Sequence, residues 1–317
     1  MKSWKSCTFG ERKTRKMETE LFEELYLAGC QIRLNAELSE YTTIKIGGPA
    51  QAIVFPQTTE AFIKALNILK GREIQYKILG GGSNVIPPKS FHGIVVSTKA
   101  LTGIEFSGNQ VAFDCGMSVR RLLRLVASRG LSGLEFLSGL PGSLGGALFM
   151  NAGAFGGEIG NLVEEVTVLG NDLNVRSLKA EEIEFSYRHS SLRDYVILGA
   201  ILKFDYAKPE KVIREMELVL KRRLEKQPLD QPSAGSTFKR PRNDFYVGTT
   251  IEALGLKGLR VGGVEISRKH AGFIVNRGNA TQEDVVRLIE KVQELVYLTY
   301  DVKLETEVEI WKGGSYA

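Results

Sequence analysis

A run of three glycines sets the tightest constraint on this chain. Residues Ile74 to Leu79 form an apolar stretch of strand length, and they lead straight into Gly80-Gly81-Gly82-Ser83-Asn84. Without β-carbons, these glycines turn sharply and let their backbone approach a ligand or another backbone closely. Upstream, Ala52 to Phe55 reads as another strand. Thr59 to Lys70 reads as a helix capped by Thr58 or Thr59, with Ala61, Phe62, Ala65, Leu66 and Leu69 on one face. Together they predict a β-α-β unit whose second strand ends in the glycine loop. Amide groups in such a loop turn inward around an anion, and Ser83 and Asn84 add side-chain donors, so a diphosphate fits there without a lysine.

A second small-residue segment follows at Ser138-Gly139-Leu140-Pro141-Gly142-Ser143-Leu144-Gly145-Gly146, continued by Met150-Asn151-Ala152-Gly153-Ala154. It permits close approach of a flat ligand or a phosphate. Backbone-on-backbone packing would select the same residue types. Neither segment has GxGxxG spacing or a Walker A pattern, which leaves a dinucleotide-binding Rossmann fingerprint and a P-loop without support.

The rest of the chain alternates helix and strand signals without the unbroken βαβα rhythm of a doubly wound sheet, so the fold class is α+β. Gly103 to Cys115 reads as a hairpin around Ser107-Gly108-Asn109, and Ser118 to Ser128 as an amphipathic helix. Val163 to Val175 reads as a hairpin turning at Gly170-Asn171-Asp172, and Val196 to Phe204 as a buried strand. A third region opens near Pro209 with a helix whose stripe is Val212, Ile213, Met216, Val219, Leu220 and Arg223, ending before Pro228. Thr281-Gln282-Glu283-Asp284 is a capping-box variant that opens a helix with the stripe Val285, Leu288, Ile289, Val292, Leu295 and Val296. Val302 to Trp311 is expected to be a final strand, with Glu305 and Glu307 on one face.

With 317 residues the chain is long enough for two or three domains, and 43% hydrophobic with 25% charged residues is ordinary globular composition. The net charge of +5 is too small to imply nucleic acid and suits anionic small molecules. Three scattered cysteines, Cys7, Cys30 and Cys115, predict no disulfide framework and a reducing, cytoplasmic setting. The basic stretch Met1 to Lys16 lacks the apolar run of a secretory signal and reads as a flexible tail, and no stretch is long enough to span a membrane.

Four places hold chemistry-bearing residues. Tyr187-Arg188-His189-Ser190 carries an arginine able to clamp a carboxylate, although most arginines are solvated surface groups. Ala234-Gly235-Ser236-Thr237-Phe238-Lys239-Arg240-Pro241 sets a serine beside two cations, which suits an anionic substrate; an ordinary loop serine is the plainer alternative. Glu305 and Glu307 offer carboxylates, and solvent-facing acids would look the same. His92, His189 and His270 have no metal-ligand spacing, so no metal site is expected, and no nucleophile elbow G-x-S-x-G is present.

Taken in order, the motifs resemble the UDP-N-acetylenolpyruvoylglucosamine reductase family over residues 20 to 311. They are Tyr41-Thr42-Thr43-Ile44-Lys45-Ile46-Gly47-Gly48, Gly80 to Asn84, Gly139 to Gly146, Ser186-Tyr187-Arg188, Ala234 to Lys239, and Leu304-Glu305-Thr306-Glu307-Val308. The resemblance implies a two-lobed, p-cresol-methylhydroxylase-like FAD-binding portion and a C-terminal α+β substrate domain. The corresponding boundaries are a tail over 1–19, lobes over 20–100 and 101–207, and the substrate domain over 208–317. It implies noncovalent FAD, with NADPH and an enolpyruvyl UDP-sugar entering in turn, and a monomer or weak oligomer with no nucleic-acid or membrane partner. The cofactor contacts it implies are Thr43, Gly47, Gly80, Gly81, Gly82, Ser83, Asn84, Gly139, Pro141, Gly142, Ser143, Gly145, Gly146, Asn151, Gly153 and Ala154. Ser236 matches the family's proton donor to C2, and Arg188 and Glu307 the residues that hold and polarise the enolpyruvyl carboxylate. Tyr187, Lys226, Lys239, Arg240 and His270 match substrate contacts. Only Ser191 to Tyr195 separates the Tyr-Arg-His-Ser motif from the next strand. The chain therefore resembles the shorter branch, which lacks an inserted tyrosine loop. Competing expectations are a flavin oxidoreductase acting on another substrate and a non-catalytic nucleotide-binding module.

Overall fold

The computed structural model describes residues 19–313; the basic tail expected over 1–19 lies almost wholly outside them. A helix over residues 19–27 precedes a four-stranded sheet with spatial order Cys30–Glu37, Pro49–Pro56, Phe91–Ser97, Tyr76–Leu79. Pro49–Pro56 and Tyr76–Leu79 both run parallel to Phe91–Ser97, joined by the expected crossover helix Thr59–Gly71. Thr58 caps that helix by accepting the Ala61 N–H. The strands alternate: Ala52, Val54, Ile94 and Val96 pack under the helices with Phe62, Leu66 and Leu69, while Ile53 and Val95 face Leu38, Phe91 and Trp311 on the other side. A sheet buried on both faces is what a parallel crossover requires.

The second lobe is a five-stranded antiparallel sheet ordered Val175–Lys179, Val163–Leu169, Val196–Lys203, Gln110–Asp114, Ile104–Ser107. Both expected hairpins are present, and Val196–Lys203 occupies the sheet centre. Helix Val119–Ala127 covers it, capped by Ser118, and buries Val119, Leu122, Leu123 and Val126 in the core shared with the first lobe.

A third sheet, ordered Ser233–Ser236, Phe273–Asn276, Val264–Ile266, Arg260–Val261, packs against helix Gln282–Tyr300. Thr281 and Asp284 form the capping box, and Val285, Leu288, Ile289, Val292 and Val296 are buried as expected, with Leu295 only half-buried. Ile44 and Ile46 insert into this third core. The Thr43 hydroxyl donates to the Ser233 carbonyl at 2.6 Å, and Asn276 Nδ2 donates to the Ile44 carbonyl at 2.9 Å. The Tyr41–Gly48 motif thus fastens the first lobe to the C-terminal sheet.

Two expectations are corrected. The stripe on helix Pro209–Lys226 is only partly buried: Val212, Val219 and Arg223 are enclosed, whereas Ile213 and Leu220 remain exposed. This helix crosses the second lobe, where Arg223 donates to the carbonyls of Phe136 and Ser138, and that narrow line of contact covers only part of the apolar face. The terminal segment is not one strand. Thr306 makes an isolated bridge to Phe238, a bend follows, and only Glu309–Ile310 is strand, pairing with Val85–Ile86. The chain bends because its backbone serves two partners in turn, as Glu307 N–H donates to Thr237 and Glu309 N–H to Asn84. Glu305 and Glu307 therefore do not share a face: Glu305 is exposed, and the Glu307 side chain is 14% exposed.

Candidate active site

Three elements meet where the terminal segment bends. The first is the hairpin Phe185–Ser186 and His189–Ser190, whose two-residue turn is Tyr187-Arg188. Arg188 sits there at φ 56°, a left-handed conformation that a side chain with a β-carbon adopts at some cost. The second is strand Ser233–Ser236, in which Gly235 has φ 83° with open space beside it. The third is Glu307, whose N–H donates to Thr237, next to Ser236, and whose carbonyl accepts from Asn84 Nδ2 at 3.0 Å. Asn84 closes the first glycine loop, so that loop, the serine strand and the glutamate share one junction.

Arg188 Nε stands 2.8 Å from Glu307 Oε1. The contact is a close ion pair, and Nε finds no other acceptor among the described residues. Burial pushes the Glu307 carboxyl above the usual carboxylate range, while the charges of Arg188 and Lys239 pull it back down. A buried carboxylate paired with a cation in this way suits a site that handles charge.

The glycine loop fits a diphosphate. The amides of Gly80, Gly81, Gly82 and Ser83 donate to no carbonyl among the described residues, and Gly82 has φ 64°. The second segment faces it directly: a β-carbon on Gly80 would stand 2.5 Å from Ser143 Oγ, and one on Gly81 would collide with Gly142. Within the second segment the amides of Leu144 and Gly145 donate to Met117 and Cys115, and Gly146 N–H to Ser143 Oγ, which caps helix Leu144–Phe149. Gly145 is pressed on Cys115, and Gly139, at φ 80°, on Leu220 and Arg223. Backbone packing therefore accounts for Gly139 and Gly145, and Gly142 and Ser143 are the members facing the loop. Pro141 is exposed; Gly47, at φ 117°, is wedged between Leu38 and Pro87. Thr43 meets the loop at the Gly82 carbonyl, which accepts its N–H at 2.9 Å and its hydroxyl at 3.5 Å. Gly153 and Ala154 form one arm of a short hairpin with Gly157 and Glu158, beside Arg188.

The other expected contacts are scattered around this junction. Tyr187 is half exposed and its hydroxyl accepts the Arg240 N–H at 3.4 Å. The Arg240 guanidinium lies over the Tyr246 ring. Lys239 Nζ is 3.2 Å from Glu305 Oε2. His270 is held by the scaffold, with Nδ1 accepting from Gly272 and the ring edge-on to Phe273, and burial lowers its pKa. Lys226 ends its helix exposed. Sequence reasoning missed one enclosed polar group here. Arg223 is buried with carbonyls and Gln227 as its partners, and burial with repulsion from Arg188 lowers its pKa to about 10. Its only signal was an arginine at a stripe position.

Comparison with known proteins agrees with this geometry. Residues 50–177 match the FAD binding domain family, and residues 227–311 match the C-terminal domain of UDP-N-acetylenolpyruvoylglucosamine reductase. The reductase of that name from Thermotoga sp. (strain RQ2) is 47% identical, covering 93% of this chain and 98% of the relative. The one from Petrotoga mobilis is 46% identical over 91% and 97%. The crystal structure of the Thermus caldophilus reductase superposes with a TM-score of 0.76 at 34% identity, covering 89% of this chain and 99% of that one. Identity at this level over nearly the whole length of both chains, on a shared fold, places the chain in the UDP-N-acetylenolpyruvoylglucosamine reductase family.

Proposed function

We propose that the chain reduces the enolpyruvyl ether of a UDP-N-acetylglucosamine substrate to the lactyl ether, UDP-N-acetylmuramate. NADPH is the reductant, FAD is held noncovalently, and the setting is cytoplasmic peptidoglycan precursor synthesis. The observation that carries this reading is the junction at Glu307, where the amide-lined loop, Ser236 and Arg188 converge. The loop amides of Gly80 to Ser83, with Gly142 and Ser143 opposite, would hold the FAD diphosphate. FAD, when bound, supplies hydride transfer to the enolpyruvyl methylene carbon, C3.

The side chains handle the remaining charge and proton. Adding hydride at C3 places negative charge on C2, conjugated with the carboxylate. Arg188, half-buried, binds that carboxylate and stabilises the charge as it forms. Glu307 fixes the guanidinium. Ser236 gives its hydroxyl proton to C2, completing addition of one hydride and one proton across the double bond. Oxidation of NADPH that depends on the enolpyruvyl UDP-sugar is the test. NADPH oxidation indifferent to that sugar, or protein that cannot be reconstituted with FAD, would overturn the reading.

A further inference from the structure

Asn151 is fully buried, has φ 43°, and was expected to touch the cofactor. Its side chain is committed to protein. Nδ2 donates to Glu158 Oε2 at 2.8 Å and to the Ser186 carbonyl at 3.0 Å, while Oδ1 accepts the Gly160 N–H at 3.1 Å. Two of these bonds lead toward Arg188. Ser186 is the residue before the Tyr187-Arg188 turn. Glu158 belongs to the hairpin whose Gly153 abuts the guanidinium, a β-carbon there standing 3.5 Å from Arg188 Nη1. Ser190, just beyond the turn, is clamped in parallel: its buried hydroxyl bonds the Leu148 and Phe149 carbonyls at 3.0 Å.

From this network we infer that Asn151 is a positioning residue for Arg188, fixing both the backbone that carries the arginine and the wall against its guanidinium. The inference rests on the role given to Arg188 above. A left-handed arginine on a two-residue turn persists only where its surroundings over-determine it. Asn151 supplies that restraint from one point, and asparagine tolerates the left-handed backbone needed there. An aspartate of the same shape would lose both donations and face the Glu158 carboxylate and the Ser186 carbonyl with like charge or lone pairs.

The test is stopped-flow kinetics on the holoenzyme, following flavin reduction by NADPH and reoxidation by the enolpyruvyl UDP-sugar separately. Asn151→Asp is expected to keep its FAD and its reduction rate and to slow reoxidation by up to about 10²-fold, as small misplacements of catalytic groups do. Adding Glu158→Gln gives the aspartate a donor and should recover part of the loss; the unchanged reduction rate and FAD content separate this from a purely structural defect. Loss of FAD, equal slowing of both steps, or unchanged reoxidation would each overturn the inference. If Asn151→Asp fails to fold, Glu158→Ala removes one anchor only and should slow reoxidation by a smaller factor; no change there also overturns it. Arg188→Ala, run in parallel, separates the failures. If it is silent, the reading of Arg188 falls and takes this proposal with it. If it is slow while Asn151→Asp is normal, only the positioning role falls.

Discussion

Glu265 and Glu307 are enclosed glutamates that each meet arginine, and their environments push them in opposite directions. Glu265, in the strand Val264–Ile266, has no exposed side-chain surface and meets three guanidiniums: Arg260 at 2.5 Å, Arg277 at 2.8 Å and Arg268 at 3.5 Å. Hydrogen bonds and charge from Arg277 and Arg260 hold its carboxyl below the usual range despite burial. Glu307 has one guanidinium at 2.8 Å, and there burial wins and its carboxyl is raised. At Glu265 the hydrogen bonds of Arg277 and Arg260 outweigh desolvation, whereas at Glu307 desolvation is the largest effect and outweighs its single guanidinium, so the balance of burial against partners sets the direction. Glu265 is tied into scaffold by a surplus of donors. Glu307 has a single guanidinium beside it and lies where three elements converge, which is how a site differs from a staple.

The sharpest way to break this comparison is at Glu265. Glu265→Gln should lower stability by about 3 kcal/mol, the low end for breaking a buried pair, because arginines exposed as Arg260 and Arg268 are can turn to solvent. A thermal melt should show a clear drop with bound FAD and both half-reactions preserved. An unchanged melting temperature would mean the three arginines add nothing. At the other glutamate, Arg188→Ala should cut kcat roughly 10²–10³-fold through the reoxidation step while FAD stays bound and the melt barely moves. Full turnover in that variant would make the pair a second staple. Ser236→Ala should leave flavin reduction by NADPH nearly unchanged and slow reoxidation by at least about 10²-fold, with Ser236→Cys recovering part because a thiol also donates. An unchanged second step would remove Ser236 from the mechanism.

Much of this was legible in the sequence, and the gaps have physical causes. The crossover helix, both hairpins and the capping box at Thr281 follow from local periodicity and capping chemistry. The loop Gly80–Asn84 was legible because three successive glycines exceed what a turn needs. The second glycine segment read the same way, yet Gly145 and Gly139 serve packing; whether a glycine faces a ligand or a neighbouring backbone depends on contacts far away in sequence. The terminal strand was misread because alternation is blind to a bend made where one backbone changes partners. Glu265 was missed although it left a trace, a lone acid in Val264-Glu265-Ile266. Arg260 reaches it across a strand pair and Arg277 from beyond the next strand, so no spacing rule links them. The side-chain partners of Asn151 were not legible, since they lie up to thirty-five residues away.

The smallest effect is also the finest test of the contrast, because it sets the two carboxyls against each other on one pH axis. Glu265 has a depressed folded-state pKa, so its contribution to stability is present above the ordinary carboxylate range and is lost only as pH falls through its lowered value. Glu307 has a raised folded-state pKa, so on acidification it takes up its proton first. That protonation relieves a burial penalty, so the fold does not weaken with it, but the pairing that fixes Arg188 is lost. Reoxidation by the enolpyruvyl sugar should therefore fall with acid while the flavin stays bound and the protein stays folded, and it should recover fully on return to neutral pH. Lys239 sharpens the point, since its charge is one of those lowering Glu307. Lys239→Met should move the acid limb of the reoxidation rate to higher pH by a fraction of a unit and leave the acid unfolding midpoint in place, because Glu265 is held by its own arginines. Activity and fold lost together at one pH, in the parent protein and in Lys239→Met alike, would show that the two glutamates do not differ in the way their partners imply.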